Sequence, residues 1–184
     1  MTGIVLAGTG HRPGRLGMTE RGEFAADRMH ALLCDELRQI QPSLVLTGMA
    51  RGFDLVLGLA ALELNIPYGA VIPCADQAGR WSEPLQEAWR TVRRGAAWET
   101  ILAPHYTPGC MLARNRWMVE HCTHVLACWD GEPGGGTAQC LAAAWLLGRP
   151  WRNTWTRWTV YRDWRVYADP MHDGALKERL ERVR

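Results

Sequence analysis

Short, continuously apolar runs alternate with longer stretches whose apolar residues recur every three or four positions, from residue 3 to about residue 150. Residues 3–8 are an apolar run ending in Gly8-Thr9-Gly10. Phe24, Met29, Leu32, Leu33, Leu37 and Ile40 carry helical spacing over 20–40, and Pro42 ends that helix. Ser43–Thr47 is a second strand closed by Gly48, and Leu55, Leu59 and Leu62 predict a helix over 54–64. Residues 70–73 form a third strand. Ser82 as N-cap with Pro84 in the first turn predicts a helix over 83–95. A fourth strand at 98–103, a helix at 111–122, a fifth strand at 124–129 and a helix at 137–147 follow, the last closed by Gly148 and Pro150.

Strands that are apolar on both faces belong to a parallel sheet covered by helices on both sides, an α/β three-layer sandwich with a mainly parallel sheet. Ligands of such sheets bind outside the carboxyl ends of the strands. The turns after residues 8, 47, 73 and 129 are therefore expected to rim one crevice. This arrangement assigns residues 1–150 to a ligand-binding domain. Residues 151–184 form a Trp/Arg-rich extension packed on the core or at a dimer interface: 151–161 alternates partly like a strand, and Ala175–Val183 reads as a short charged helix.

Composition narrows the function classes. The 184 residues fit one domain, and a net charge of +2 gives no compositional argument for nucleic acid or an anionic membrane. No apolar run reaches the roughly 18–20 residues needed to span a bilayer, and the first residues enter a strand pattern without a basic leader, so a cytoplasmic protein is expected. None of the six cysteines forms a C-x-x-C pair, which suits reduced core thiols. The spacing of His121, Cys122, His124 and Cys128 fits no standard zinc pattern, so no metal is expected.

The richest segment for chemistry runs from Met111-Leu112-Ala113-Arg114-Asn115-Arg116 through the fifth strand to Gly134-Gly135-Gly136-Thr137. A glycine turn opening a helix presents backbone N–H groups and the positive end of the helix dipole to an anion. Arginine suits bidentate phosphate binding, and Asn115 is a ligand-orienting amide. Successive helix residues diverge by about 100°, so at most two of Arg114, Asn115 and Arg116 reach one ligand. The first turn, Gly8-Thr9-Gly10-His11-Arg12-Pro13, starts like a dinucleotide fingerprint but has Pro13 in place of the third glycine. His11 and Arg12 are candidates for phosphate or base contact. In Thr47-Gly48-Met49-Ala50-Arg51-Gly52-Phe53-Asp54, Asp54 is either the helix cap or a ribose ligand. Trp81 is placed to stack on a base or on Arg51, and Glu83 sits in a helix first turn, where the dipole favours it. The extension interleaves Trp151, Arg152, Trp155, Arg157, Trp158, Arg162, Trp164 and Arg165, a pattern that serves single-strand binding or, more often, packing.

These motifs, in this order, resemble the SLOG superfamily and within it the YpsA-like proteins. The carriers are TGHRPGRLG (9–17), TGMARGFD (47–54), RWSEP (80–84) and the late GGGTA (134–138). The resemblance spans roughly residues 3–150. It implies a Rossmann-like fold, a homodimer and a nucleotide-derived ligand of the NAD or ADP-ribose kind. The implied binding residues are Gly8, Thr9, Gly10, Arg12, Gly48, Asp54, Arg114, Asn115, Gly134, Gly135, Gly136 and Thr137. Phosphates are expected on Gly134–Thr137 and Arg114, a ribose near Asp54, and a base near Trp81 or Trp129. Two sister families supply alternatives. Met111, Arg114 and the glycine turn are similar to LOG phosphoribohydrolases, which cleave N-glycosidic bonds. Here Ala138-Gln139-Cys140 replaces their acidic residues, and Gln139 cannot supply a carboxylate. Arg114, Asp54, Glu83 and Asp130 remain as catalytic candidates. TGMARGFD and Arg114-Asn115-Arg116 are similar to the DprA family, which implies single-stranded DNA.

Overall fold

The computed structural model describes residues 3–18 and 23–163. The expected helix at 175–183, with Trp164 and Arg165, lies outside the described residues. Six strands form one sheet: β1 (Val5–Gly10), β2 (Leu44–Thr47), β3 (Tyr68–Ile72), β4 (Trp98–Ile101), β5 (His124–Cys128) and β6 (Trp151–Asn153). The helices are α1 (Pro13–Leu16), α2 (Glu23–Ile40), α3 (Phe53–Glu63), α4 (Glu83–Gly95), α5 (Cys110–Glu120), α6 (Gly135–Leu146) and α7 (Trp155–Asp163). Every strand pairing is parallel, in the order β4-β3-β2-β1-β5-β6.

Alternation along each strand builds the layers. Leu6, Val45, Ala70, Ile72, Leu126 and Cys128 face one core, with Leu33, Leu37, Leu57, Trp89 and Trp158 from α2, α3, α4 and α7. Their sequence neighbours Ala7, Leu46, Val71, Val125 and Ala127 face the other, with Met118, Val119, Cys140 and Leu141 from α5 and α6. Period-two side-chain direction therefore sends successive apolar residues into two separate cores. All six cysteines are buried. Among the described residues, no helix is long and apolar enough to cross a membrane.

The extension departs from its expected form. Only Trp151–Asn153 is strand; it pairs with β5, and residues 155–163 are helical. The tryptophans and threonines favour a strand intrinsically, but Asn153 stops it. Its Oδ1 accepts the Trp155 N–H at 3.2 Å and the Trp129 N–H at 3.0 Å. Glu36, fully buried on α2, accepts the Thr154 hydroxyl at 2.8 Å and pairs with Arg152 and Arg157. Those two arginines and the buried Trp158 thus join this segment to the core.

Candidate functional site

The chain order places the site. From β1 the sheet grows one way through β2, β3 and β4, then the chain crosses back to lay β5 on the other side of β1. The loops leaving β1 and β5 therefore diverge at their carboxyl ends and open a crevice at this switch point. A cavity of about 510 Å³ lies there. Thr9, Gly10, His11, Arg12 and Arg15 line it from the β1 side, Ala50 and Asp54 from the start of α3, and Met111, Arg114 and Asn115 from α5. Pro133, Gly134, Gly135, Gly136 and Thr137 close it. The volume suits a small organic ligand.

The glycine turn is the N-terminus of α6. Gly134 is the capping position, with φ 89°, and Gly135 follows with φ 74°. Both lie in the left-handed region that side chains avoid. No side chain caps the helix, so its first N–H groups and its dipole face the cavity. Thr137 is the third helical residue. Asn115 Nδ2 donates to Gly136 O at 3.1 Å and ties α5 to the turn.

Arg114 and Asp54, both nearly fully buried, pair at 3.0 Å through Nη1 and Oδ2. Asp54 is thus not the helix cap, a position Gly52 occupies. Burial pushes the Asp54 carboxyl above the usual carboxylate range, while Arg114, Arg12 and a backbone hydrogen bond at Ala50 pull it back. Arg12 lies within the field of Asp54, Arg114 and Arg51. Of the three arginines that line the cavity, Arg114 pairs with Asp54 and Arg15 with Asp130 at 3.3 Å, so Arg12 supplies the excess positive charge. Arg114 Nε is buried without a hydrogen-bond partner among the described residues.

Gly48 supplies the room for this pair. A Cβ there would lie 1.3 Å from Arg114 Nη1 and 2.7 Å from Asp54 Oδ2. Gly48→Ala is expected to displace Arg114 and cost about 1–3 kcal/mol, read by urea denaturation; an unchanged midpoint would show that the guanidinium relaxes freely. Gly8 does not line the cavity: it admits Leu57, whose Cδ2 a Cβ would meet at 2.1 Å. Gly10 lines the cavity and also seats Phe53.

His11, expected as a phosphate or base contact, lines the cavity and is also held by Asp130. It is buried, with Nε2 2.9 Å from Asp130 Oδ1 and 3.1 Å from Asp130 N, and its ring meets Trp155 edge-on at 5.6 Å. Against the pull of desolvation, the Glu132 N–H, His11 and Arg15 hold Asp130 below the usual carboxylate range. Burial pushes the Cys140 thiol up to about 11 and Cys128 higher still, so neither is a thiolate at neutral pH.

Several expected residues fall elsewhere. Arg116 is exposed and pairs with Glu120 at 2.8 Å, as the helical angle requires. Glu83 is exposed and pairs with Arg90 outside the cavity. Trp81 and Trp129 do not line it: Trp81 packs under Arg51, 5.8 Å from its guanidinium carbon, and Trp129 Nε1 donates to Glu132 O at 2.9 Å. Gln139 is exposed and also absent from the lining. Gln77, unnoticed in the sequence, is buried and donates to Gly48 O at 3.3 Å while accepting from Trp89 Nε1 at 3.2 Å.

No family model matches the chain. It is 26% identical over 150 residues to a UPF0398 protein of Bacillus pumilus (strain SAFR-032), covering 76% of this chain and 81% of that protein. DNA processing protein A (DprA) from Streptococcus pneumoniae matches the fold with a TM-score of 0.53 at 19% identity over 80% of this chain. The match covers 49% of that protein, so the chain spans about half its length. Helicobacter pylori DprA, a protein with a single-stranded DNA binding mode, matches with a TM-score of 0.54 at 15% identity, over 95% of this chain and 82% of its own. The Rossmann-like α/β fold is shared with the DprA structures, and the UPF0398 likeness supports the resemblance to the YpsA-like proteins.

Proposed function

We propose that the crevice binds a phosphate-bearing, nucleotide-derived small molecule of the NAD or ADP-ribose kind. One observation carries this reading: the uncapped N-terminus of α6, built on two left-handed glycines, opens on the same cavity as Arg12, Arg15 and Arg114. The phosphate would lie on Gly134–Thr137 and receive Arg114, Asn115 would orient it, and Thr9, Gly10 and Arg12 would contact the remainder. Asp54 serves first to hold Arg114, with its second oxygen the acceptor for a ribose hydroxyl. Glycosidic hydrolysis has less support, because Glu83 and Gln139 do not line the cavity and Asp54 is committed to Arg114. The implied homodimer belongs to the same proposal; exposed Trp145, Leu146 and Trp151 offer it an apolar surface.

A second reading, a single-stranded DNA binder, is favoured by the DprA fold matches. The described part of the extension gives it little, since Arg152 and Arg157 are paired and Trp158 is buried. The crevice itself would then receive the DNA phosphates.

Calorimetric titration against AMP, NAD, ADP-ribose and oligo-dT separates the two. Saturable binding of a mononucleotide or dinucleotide is expected. Because a charge-assisted hydrogen bond contributes about 1.5–3 kcal/mol, Arg12→Ala is expected to weaken binding by roughly 10–100-fold. Binding of oligo-dT alone, falling steeply with salt, would replace the small-molecule reading with the DNA one. No binding to any of the four would overturn both.

A further inference from the structure

We propose that His30, Cys34 and Glu63 form a metal site for a zinc-like divalent cation, on the face of the sheet covered by α2 and α3. Among the described residues, this is the one group of three histidine, cysteine or acidic side chains whose ligand atoms come together, all within 4.8 Å of one another. Residues 30 and 34 are one helical turn apart on α2, so their side chains share a face. Glu63 is the last residue of α3, the helix that packs against α2. His121, Cys122, His124 and Cys128, the set weighed from sequence, do not assemble.

The three ligand atoms are close enough for one ion once the side chains adjust around it. Zinc bonds of roughly 2.0–2.3 Å place neighbouring nitrogen and oxygen ligands about 3.3 Å apart, and nitrogen and sulfur about 3.6 Å apart. His30 Nε2 lies 3.5 Å from Glu63 Oε2, and Cys34 Sγ lies 3.9 Å from Nε2 and 3.8 Å from Nδ1. Because Cys34 Sγ is nearly equidistant from the two ring nitrogens, bonding geometry requires the His30 ring to turn so that one nitrogen lone pair points between Cys34 and Glu63. One thiolate, one imidazole and one carboxylate suit borderline-soft Zn²⁺ over Mg²⁺ or Ca²⁺, which prefer oxygen donors. His30 and Cys34 are buried, while Glu63 retains 28% exposure and gives an ion a path from solvent.

The position suggests what the ion does. Asp54 opens α3 and Glu63 closes it, so the two lie about 14 Å apart along the helix. The ion would pin the far end of the helix that presents Asp54, as a structural clasp between α2 and α3. This inference does not depend on the ligand of the crevice.

The test uses the full chain, stripped with a chelator and titrated with Zn²⁺ against a chromophoric competitor, and separately with Co²⁺. One ion per chain is expected, with a thiolate-to-cobalt charge-transfer band in the near ultraviolet and a higher Tm on Zn²⁺ addition. Cys34→Ser is expected to lose the band and weaken Zn²⁺ binding roughly 100-fold, and Glu63→Gln to keep the band with binding weakened roughly tenfold. Absence of the band in the wild type, or Zn²⁺ affinity unchanged by Cys34→Ser, would overturn the site. Should Cys34→Ser fail to fold, unchanged affinity in Glu63→Gln would overturn it equally.

Discussion

Asp54→Ala is expected to destabilise the fold by about 3–5 kcal/mol, because it leaves the Arg114 guanidinium buried without its counter-charge. Arg114 is 4% exposed, and its Nη1 bond to Asp54 is 3.0 Å long. Breaking a buried pair costs more than the pair contributes, since the surviving charge has lost both water and partner. The total stability of a domain is roughly 5–15 kcal/mol, so the change is a large fraction of it. Urea denaturation measures it directly. A double variant, Asp54→Ala with Arg114→Met, is expected to recover much of the loss, because an apolar side chain of similar reach replaces the charge. The same double variant is expected not to bind a nucleotide. That combination, stability recovered and binding lost, distinguishes a ligand-holding Asp54–Arg114 pair from a merely structural one. Recovery of both would remove the pair from the site.

The legible and illegible parts of the molecule divide by sequence distance. The α4 helix matches its expected bounds, 83–95, because its start and its repeat are local signals. The glycine turn before α6 was a local signal too, but the helix begins at Gly135, two residues before the expected 137. The Asp54–Arg114 pair joins residues 60 apart, and no periodicity records which arginine of 114–116 turns inward. Geometry limited the choice to two of the three residues, and packing selected Arg114 and Asn115. Glu36 shows the converse. It lies between the buried Cys34 and Leu37 on α2, where a carboxylate looks like a break in the apolar face. It is instead the anchor for Thr154, Arg152 and Arg157, more than a hundred residues later. His30, Cys34 and Glu63 were hidden likewise: one turn of α2 is local, but the third ligand comes from α3. The strand expected over 151–161 failed on a local signal that was present. Asn153-Thr154 is a helix-start pair, and it overrides the strand propensity of the tryptophans around it.

Trp158→Ala is expected to cost about 3–5 kcal/mol, the usual range for truncating a fully buried large aromatic. Trp158 is the bulkiest fully buried side chain, at 0% exposure, and lies in the same core as Leu33, Leu37 and Leu126. It reaches that core because α7 packs against α2 and crosses the end of β5. The loss would spread beyond one cavity. Trp158 N–H donates to Thr154 O at 2.8 Å, and Thr154 N–H donates to Ala127 O at 2.8 Å, so the helix start, the edge strand and β5 are one connected unit. Its indole Nε1 is buried without a partner among the described residues. Trp158→Phe therefore removes an unsatisfied donor while sacrificing volume, and is expected to cost clearly less than Trp158→Ala. Equal costs for the two would mean that the indole N–H, and not the ring, sets the stability. His11 couples this core to the crevice, since its ring contacts Trp155 on α7 and its Nε2 meets Asp130 beside the cavity. A loosened α7 is accordingly expected to weaken nucleotide binding without altering any residue that lines the crevice. Calorimetry on Trp158→Phe at a temperature where it is fully folded tests this. Unchanged affinity there would make the extension a purely structural part of the core.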